Sequence, residues 1–128
     1  MHANQTLEGT PQARGREAED IAAKHLLKAG VEIIGRNLVL EGHELDIVGL
    51  DGGCLCFVEV RARKDNGVVD PLETITMPKV RRLRRGAELF LLYHGDNFAW
   101  EACRFDVIGI TFEPTLELEW RKEAFEAC

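Results

Sequence analysis

The stretch that most constrains this chain runs from Gly42 to Arg63, where alternating apolar and polar residues on either side of Asp51-Gly52-Gly53 describe a β-hairpin. Its strands read His43 to Leu50 and Cys54 to Arg63, the second rich in strand-forming residues (Cys-Leu-Cys-Phe-Val-Glu-Val). Both carry acids where core-facing apolar residues are expected: Glu44 and Asp46 on the first, Glu59 on the second, with Arg61 two positions on. Burying an ionised carboxylate is costly without a counter-charge or a metal. Several in one hairpin need a reason.

Loop length decides where they point. With Gly52-Gly53 as the central turn residues, Asp51 pairs with Cys54, Asp46 with Glu59 and Glu44 with Arg61. With Asp51-Gly52 as the turn, Glu44 faces Glu59 instead. Either even-length loop predicts Glu44, Asp46, Glu59 and Arg61 on one sheet face. A three-residue loop without a bulge would separate Asp46 from Glu59. The even loop is the expectation.

The flanking segments supply an α/β frame. Residues 1–12 read as a flexible N-terminal arm, 13–122 as one domain and 123–128 as a C-terminal tail with one helical turn. A helix is predicted from near Arg14 to a stop at Gly30, with Ala22, Ala23, Leu26 and Leu27 as its apolar face. Glu19 lies on that stripe; from its position alone it reads as a rim residue near the positive end of the helix dipole. Val31 to Leu40 is a strand with a bend at Arg36-Asn37, and Lys64 to Ile75 a loop. Thr76 caps a second helix, in which Pro78 is tolerated in the first turn and Val80, Leu83, Ala87, Phe90 and Leu91 face the core. Trp100 to Ile110 and Thr115 to Arg121 complete a mixed sheet of about five strands between helices.

Charge is distributed unevenly. The net charge of -6 argues against generic nucleic-acid affinity. Yet eight basic residues against three acidic ones fall between Arg61 and Arg85, including Arg63, Lys79, Arg82 and Arg85. That cluster is a solvated face or a phosphate-binding patch. No run is apolar enough for a membrane span and the N-terminus lacks a signal pattern, so the expectation is a cytoplasmic protein. Cys54, Cys56, Cys103 and Cys128 form no C-x-x-C pair, and Cys54 and Cys56, on one face of the same strand, are expected to act as small hydrophobes.

Asp46 and Glu59 on neighbouring strands suit a hard divalent cation, magnesium or manganese, with two carboxylates and waters filling the shell. Their spacing with the basic residue at 61 is the D…E-x-K arrangement of metal-dependent nucleases. The chain goes further and resembles the YraN-like family of uncharacterised bacterial proteins. The resemblance runs through Glu19-Asp20-Ile21-Ala22, Arg36-Asn37, Gly42-His43-Glu44-Leu45-Asp46-Ile47-Val48 and Phe57-Val58-Glu59-Val60-Arg61-Ala62-Arg63. It continues through Pro71 with Lys79 eight residues on, and Arg104-Phe105-Asp106-Val107.

That family consists of predicted endonucleases related to restriction enzymes and archaeal Holliday-junction resolvases. The resemblance therefore implies a restriction-endonuclease-like fold and hydrolysis of phosphodiester bonds in DNA, with branched repair or recombination intermediates among the substrates. It implies Asp46, Glu59 and Glu19 as metal ligands, Arg61 as the catalytic cation, and Glu44 in support. Arg63, Lys79, Arg82 and Arg85 are the expected nucleic-acid contacts. The related resolvases act as dimers, which makes a homodimer an expectation too. Arg61 departs from the usual lysine: a guanidinium can orient phosphate but not act as a base. Three alternatives stand beside this reading. The hairpin acids are structural ion pairs with Arg61, Arg63 or Arg104; the fold is a non-catalytic nucleic-acid-binding module; or the acidic C-terminal segment docks a protein partner.

Overall fold

A computed structural model describes residues 11–65 and 71–125. Helix α1 spans Pro11–Lys28, strands β1, β2 and β3 span Glu32–Leu40, His43–Asp51 and Cys54–Asp65, and helix α2 spans Met77–His94. Strands β4 (Ala102–Glu113) and β5 (Glu117–Phe125) complete one sheet of order β1-β2-β3-β4-β5. Only the β3–β4 pair is parallel, and α2 makes the crossover between those strands. This is the expected α/β architecture, a five-stranded mixed sheet flanked by two helices and consistent with a restriction-endonuclease-like fold. No described helix is long and apolar enough to cross a membrane.

Each helix covers one face. Ala18, Ala22, Ala23 and Leu26 of α1 pack on Ile47, Cys56, Val58, Ile108 and Ile110. On the other face Leu83, Ala87 and Phe90 of α2 meet Leu45, Val48, Leu55, Phe57 and Phe105. The small side chains of α1 let it approach the sheet closely, and Gly30 with φ 91° ends it. Thr76 caps α2, accepting from the Lys79 N–H at 3.4 Å. Cys56 is fully buried and burial pushes its thiol up to about 12, as suits a packing role.

Gly49 shows how tight the α1 side is. A Cβ there would lie 2.7 Å from Val31 Cγ1 and 3.3 Å from the Glu32 carbonyl oxygen, and Val31 is itself buried. Gly49→Ala should therefore cost roughly 1–3 kcal/mol, the usual penalty for overpacking. Urea unfolding should show a lower midpoint with an unchanged slope.

The hairpin turn is the expected one: Asp51 pairs with Cys54 around Gly52-Gly53. The uniform acidic face is not. Pairing of β2 with β3 ends at Ile47↔Val58, and beyond it the Val60 N–H donates to Asp46 Oδ2 at 2.9 Å. Leu45 packs against α2 whereas Ile47, two residues on, packs against α1. Asp46 and Ile47 thus fill an interval that one residue fills in a regular strand. Across from Asp46, between the pairs Arg36↔Ile47 and Leu38↔Leu45, Asn37 adopts φ 52°, at the expected bend. Glu44 stays exposed opposite Val39. The expectation of four charges on one face is corrected to a site at the point where two strands part.

Three boundaries also move. Pro11 and Gln12, expected in the arm, open α1; residues 1–10 lie outside the described region. The expected loop from Lys64 begins as the last residues of β3 and ends in a 3-10 turn, Pro71–Thr74, while 66–70 lie outside the description. Glu123–Phe125, expected in a helical tail, extend β5, and 126–128 are not described. The reason is Asp106. It accepts the Glu123 N–H at 3.1 Å, holding Glu123 at φ 53°, and the register shift there lets Phe125 stack on Phe105.

Candidate active site

Where β2 and β3 part, side chains from β2, β3 and the start of α2 bring their charges together. Glu59 of β3 is only 5 % exposed. Its Oε2 receives Arg61 Nη1 at 3.2 Å and lies 3.7 Å from Lys79 Nζ in the first turn of α2. The Glu59 carboxyl also hydrogen-bonds the Asp46 carboxylate. Burial pushes Glu59 up to about 7, the Asp46 charge adds to the rise, and Lys79 and Arg61 oppose it.

That balance discriminates between readings of the hairpin acids. The ion pair expected of a structural role is present between Glu59 and Arg61. Two neighbouring cations nevertheless fail to restore an ordinary carboxylate, because burial, and after it the Asp46 charge, outweigh them. A plain salt bridge would hold Glu59 ionised. Here a buried carboxyl lies beside a half-buried one, a pairing that a bound divalent cation would relieve.

Glu19, on α1, is the third acid. Burial raises its pKa, and the Asp46 charge raises it further, while a hydrogen bond with Asn37 and the Arg36 guanidinium lower it. Arg36 lies 3.8 Å from Glu19 and 2.8 Å from Asp20. Asp46 is thus the hub, hydrogen-bonded to Glu59 on one side and within electrostatic reach of Glu19 on the other. Among the described residues no three His, Cys, Asp or Glu side chains converge into one metal cage. The structure brings Asp46 and Glu59 together and leaves Glu19 tied to Asn37 and Arg36. Two carboxylates supplemented by water fit a magnesium-like ion, which keeps several waters and needs few protein ligands.

Arg61 is held from the side opposite Glu59. Its Nε donates to Thr74 Oγ1 at 3.1 Å and its Nη2 to the Thr74 carbonyl at 3.0 Å. Thr74 closes the 3-10 turn leading into α2, so the crossover is fastened to the site through Arg61. Beside this clamp lies an open groove of about 240 Å³ lined by Val60, Arg61, Ala62, Arg63 and Thr74.

The predicted basic patch divides. Arg63 lines the groove and Arg82 is exposed, whereas Arg85 is exposed but paired with Glu88 at 3.2 Å. Lys79, expected on the outer surface, turns inward to Glu59. The helical period contains the signal: Lys79 precedes buried Leu83 by four residues and so borders the core stripe. Thr74 gave no such signal, since a threonine in a loop says nothing about a guanidinium thirteen residues away.

A second charged cluster lies close by. Asp106 is fully buried on β4, level with Val58 and one pair from Glu59. Arg104 Nε reaches both its oxygens at 3.0 and 3.1 Å, and Trp120 Nε1 donates to Oδ2 at 3.0 Å. Arg104 Nη2 donates to Asp51 Oδ2 at 3.0 Å. Arg104, an expected partner of the hairpin glutamates in the structural alternative, pairs with these aspartates instead. The cluster is internally satisfied and braces the strand beside the site.

With this geometry in hand, known proteins add a family context. The model of a family described as "Uncharacterised protein family UPF0102" matches residues 18–110, which include Glu19, Asp46, Glu59, Arg61, Lys79, Arg104 and Asp106. The chain is 40 % identical over 117 residues to a UPF0102 protein of Stutzerimonas stutzeri, covering 91 % of this chain and 97 % of that one. It is 42 % identical over 118 residues to a UPF0102 protein of Dechloromonas aromatica, covering 92 % of each. A UPF0102 protein of Chlorobaculum parvum is 43 % identical over 100 residues, 78 % of this chain and 76 % of that one.

Proposed function

The chain belongs to the UPF0102 family, and we propose that this member is a metal-dependent endonuclease that hydrolyses phosphodiester bonds in DNA, branched DNA included. One observation carries the reading: where β2 and β3 part, buried Glu59 lies beside Asp46, with Arg61 at 3.2 Å and Lys79 at 3.7 Å from its Oε2. Asp46 and Glu59 would hold the cation, magnesium or manganese. Such an ion polarises a phosphate and lowers the pKa of bound water.

The protein's own groups do the rest. Asp46 is oriented by the Val60 N–H, so the carboxylate is fixed before any ligand arrives. Arg61, clamped by Thr74, keeps its planar fork aimed and presents its remaining N–H groups to phosphate oxygens. It stays protonated, stabilising charge and never removing a proton. Arg63 lines the groove along which the strand would continue, and exposed Arg82 offers a peripheral phosphate contact.

The test begins with the metal. Manganese should raise the melting temperature of the parent, by an amount equivalent to about 2.7 kcal/mol at a hundred times the dissociation constant. Asp46→Asn, which keeps an acceptor for Val60, should abolish that rise. Cleavage is then followed on linear, nicked, flapped and four-way DNA with and without manganese. No manganese response in the parent would overturn the metal site. Salt-sensitive DNA binding without cleavage would favour a non-catalytic binding module, the reading that Arg61 in place of a titratable lysine supports.

A further inference from the structure

We propose that Lys79 is the mobile cation of this site, neutralising Glu59 until a divalent ion takes over that charge and then turning to a non-bridging phosphate oxygen of the DNA. The inference rests on the metal-dependent reading above and goes further by assigning the side chain that contacts the reacting phosphate.

The two cations beside Glu59 are built differently. Arg61 makes three hydrogen bonds, two to Thr74 and one to Glu59 Oε2, and cannot leave without breaking all of them. Lys79 approaches the same oxygen at 3.7 Å, beyond hydrogen-bond length, so its hold is electrostatic and loose. Only its root is fixed, by the Lys79 N–H donated to Thr76 at the start of α2. The remaining stem is four flexible carbons ending in a compact charge with three rotatable donors.

Position agrees with that freedom. The Lys79 side chain is 28 % exposed against 6 % for Glu59, so the lysine reaches solvent where the carboxylate does not. A phosphate arriving from solvent can therefore meet Lys79 directly, whereas Glu59 offers it almost no surface. A divalent ion held by Asp46 and Glu59 would compete with the ammonium for Oε2 and release it where the negative charge of the phosphate arrives. Arg61 then fixes orientation and Lys79 follows the developing charge.

This assignment predicts two effects of opposite sign, which a purely structural counter-ion would not give. In the full chain, Lys79→Met should lower the half-saturating manganese concentration in a thermal-shift titration severalfold, because a competing charge is gone. The same variant should lose about a hundredfold in single-turnover cleavage of labelled DNA at saturating manganese, a typical cost of removing one charge stabiliser. Lys79→Arg, which keeps the charge and guards against misfolding of the methionine variant, should leave manganese affinity at or below that of the parent and recover much of the lost rate. Cleavage at the parental rate by Lys79→Met, or weaker manganese binding by it, would overturn the proposal while leaving the metal site intact. A parent that ignores manganese would overturn the metal site itself, and a parent that binds manganese but cleaves no DNA would overturn the role of Lys79.

Discussion

Asp106→Ala should cost about 3–5 kcal/mol of folding stability, the range seen when one partner of a buried ion pair is removed. Asp106 is fully buried and takes donors from Arg104, Trp120 and the Glu123 backbone. Burial alone would lower the pKa of Arg104; its hydrogen bonds and charge contacts with Asp106 and Asp51 reverse this and raise it. Without Asp106 the guanidinium keeps Asp51 alone, and the Trp120 and Glu123 N–H groups lose their acceptor. Each unsatisfied donor would cost about 1–3 kcal/mol by itself, though such costs overlap within one network. Melting should fall by roughly 10–25 °C on the usual scaling for a chain of this length. Asp106→Asn, which keeps an acceptor, should lose less. A loss below about 1 kcal/mol on urea unfolding of Asp106→Ala would show that β4 and β5 hold together without the network.

Glu59→Gln should do the reverse, stabilising the metal-free protein at pH 8 while abolishing the DNA cleavage proposed for it. The sign follows from proton counting. Glu59 titrates at about 7 in the folded protein against 4.5 as the ordinary value. Between those values the folded state binds more protons than the unfolded one, so stability falls as pH rises. Stability is highest below about pH 4.5 on this account and the full loss is reached above about pH 7. The shift corresponds to a loss on the order of 3 kcal/mol. Glutamine carries no charge to desolvate and should flatten the curve across that window. Denaturant unfolding with a chelator present, at pH 5 and pH 8, measures both. If the parent were equally stable at the two values, the buried Glu59 carboxyl would not be the strained element proposed here.

Much of this was legible in the sequence. Gly52-Gly53 set the hairpin register, Thr76 and Gly30 marked helix ends, and the acids at 46 and 59 stood out because core strands rarely tolerate them. Other parts could not be read from local patterns. Leu45-Asp46-Ile47 alternates as a regular strand would, yet the two apolar residues face opposite layers. That break comes from Asp46 taking the Val60 N–H, a choice made between strands. The inward turn of Lys79 and the grip of Thr74 on Arg61 depend on where the crossover lands. The extension of β5 depends on a carboxylate seventeen residues before Glu123. In each case a contact distant in sequence overrode a local preference.

The hydrogen bond from Val60 to Asp46 also bears on how such a chain would decay under drift. Asp46 is woven into the pairing of the sheet, so removing its acceptor injures the fold even where cleavage no longer matters. Glu59 is different: its loss relieves a buried charge. In a lineage released from selection for chemistry, Glu59 would therefore be shed first and position 46 would long retain an aspartate or asparagine. An intact Asp46 alone would then be a fossil of the scaffold, and the presence of Glu59 beside it the better sign of a working site.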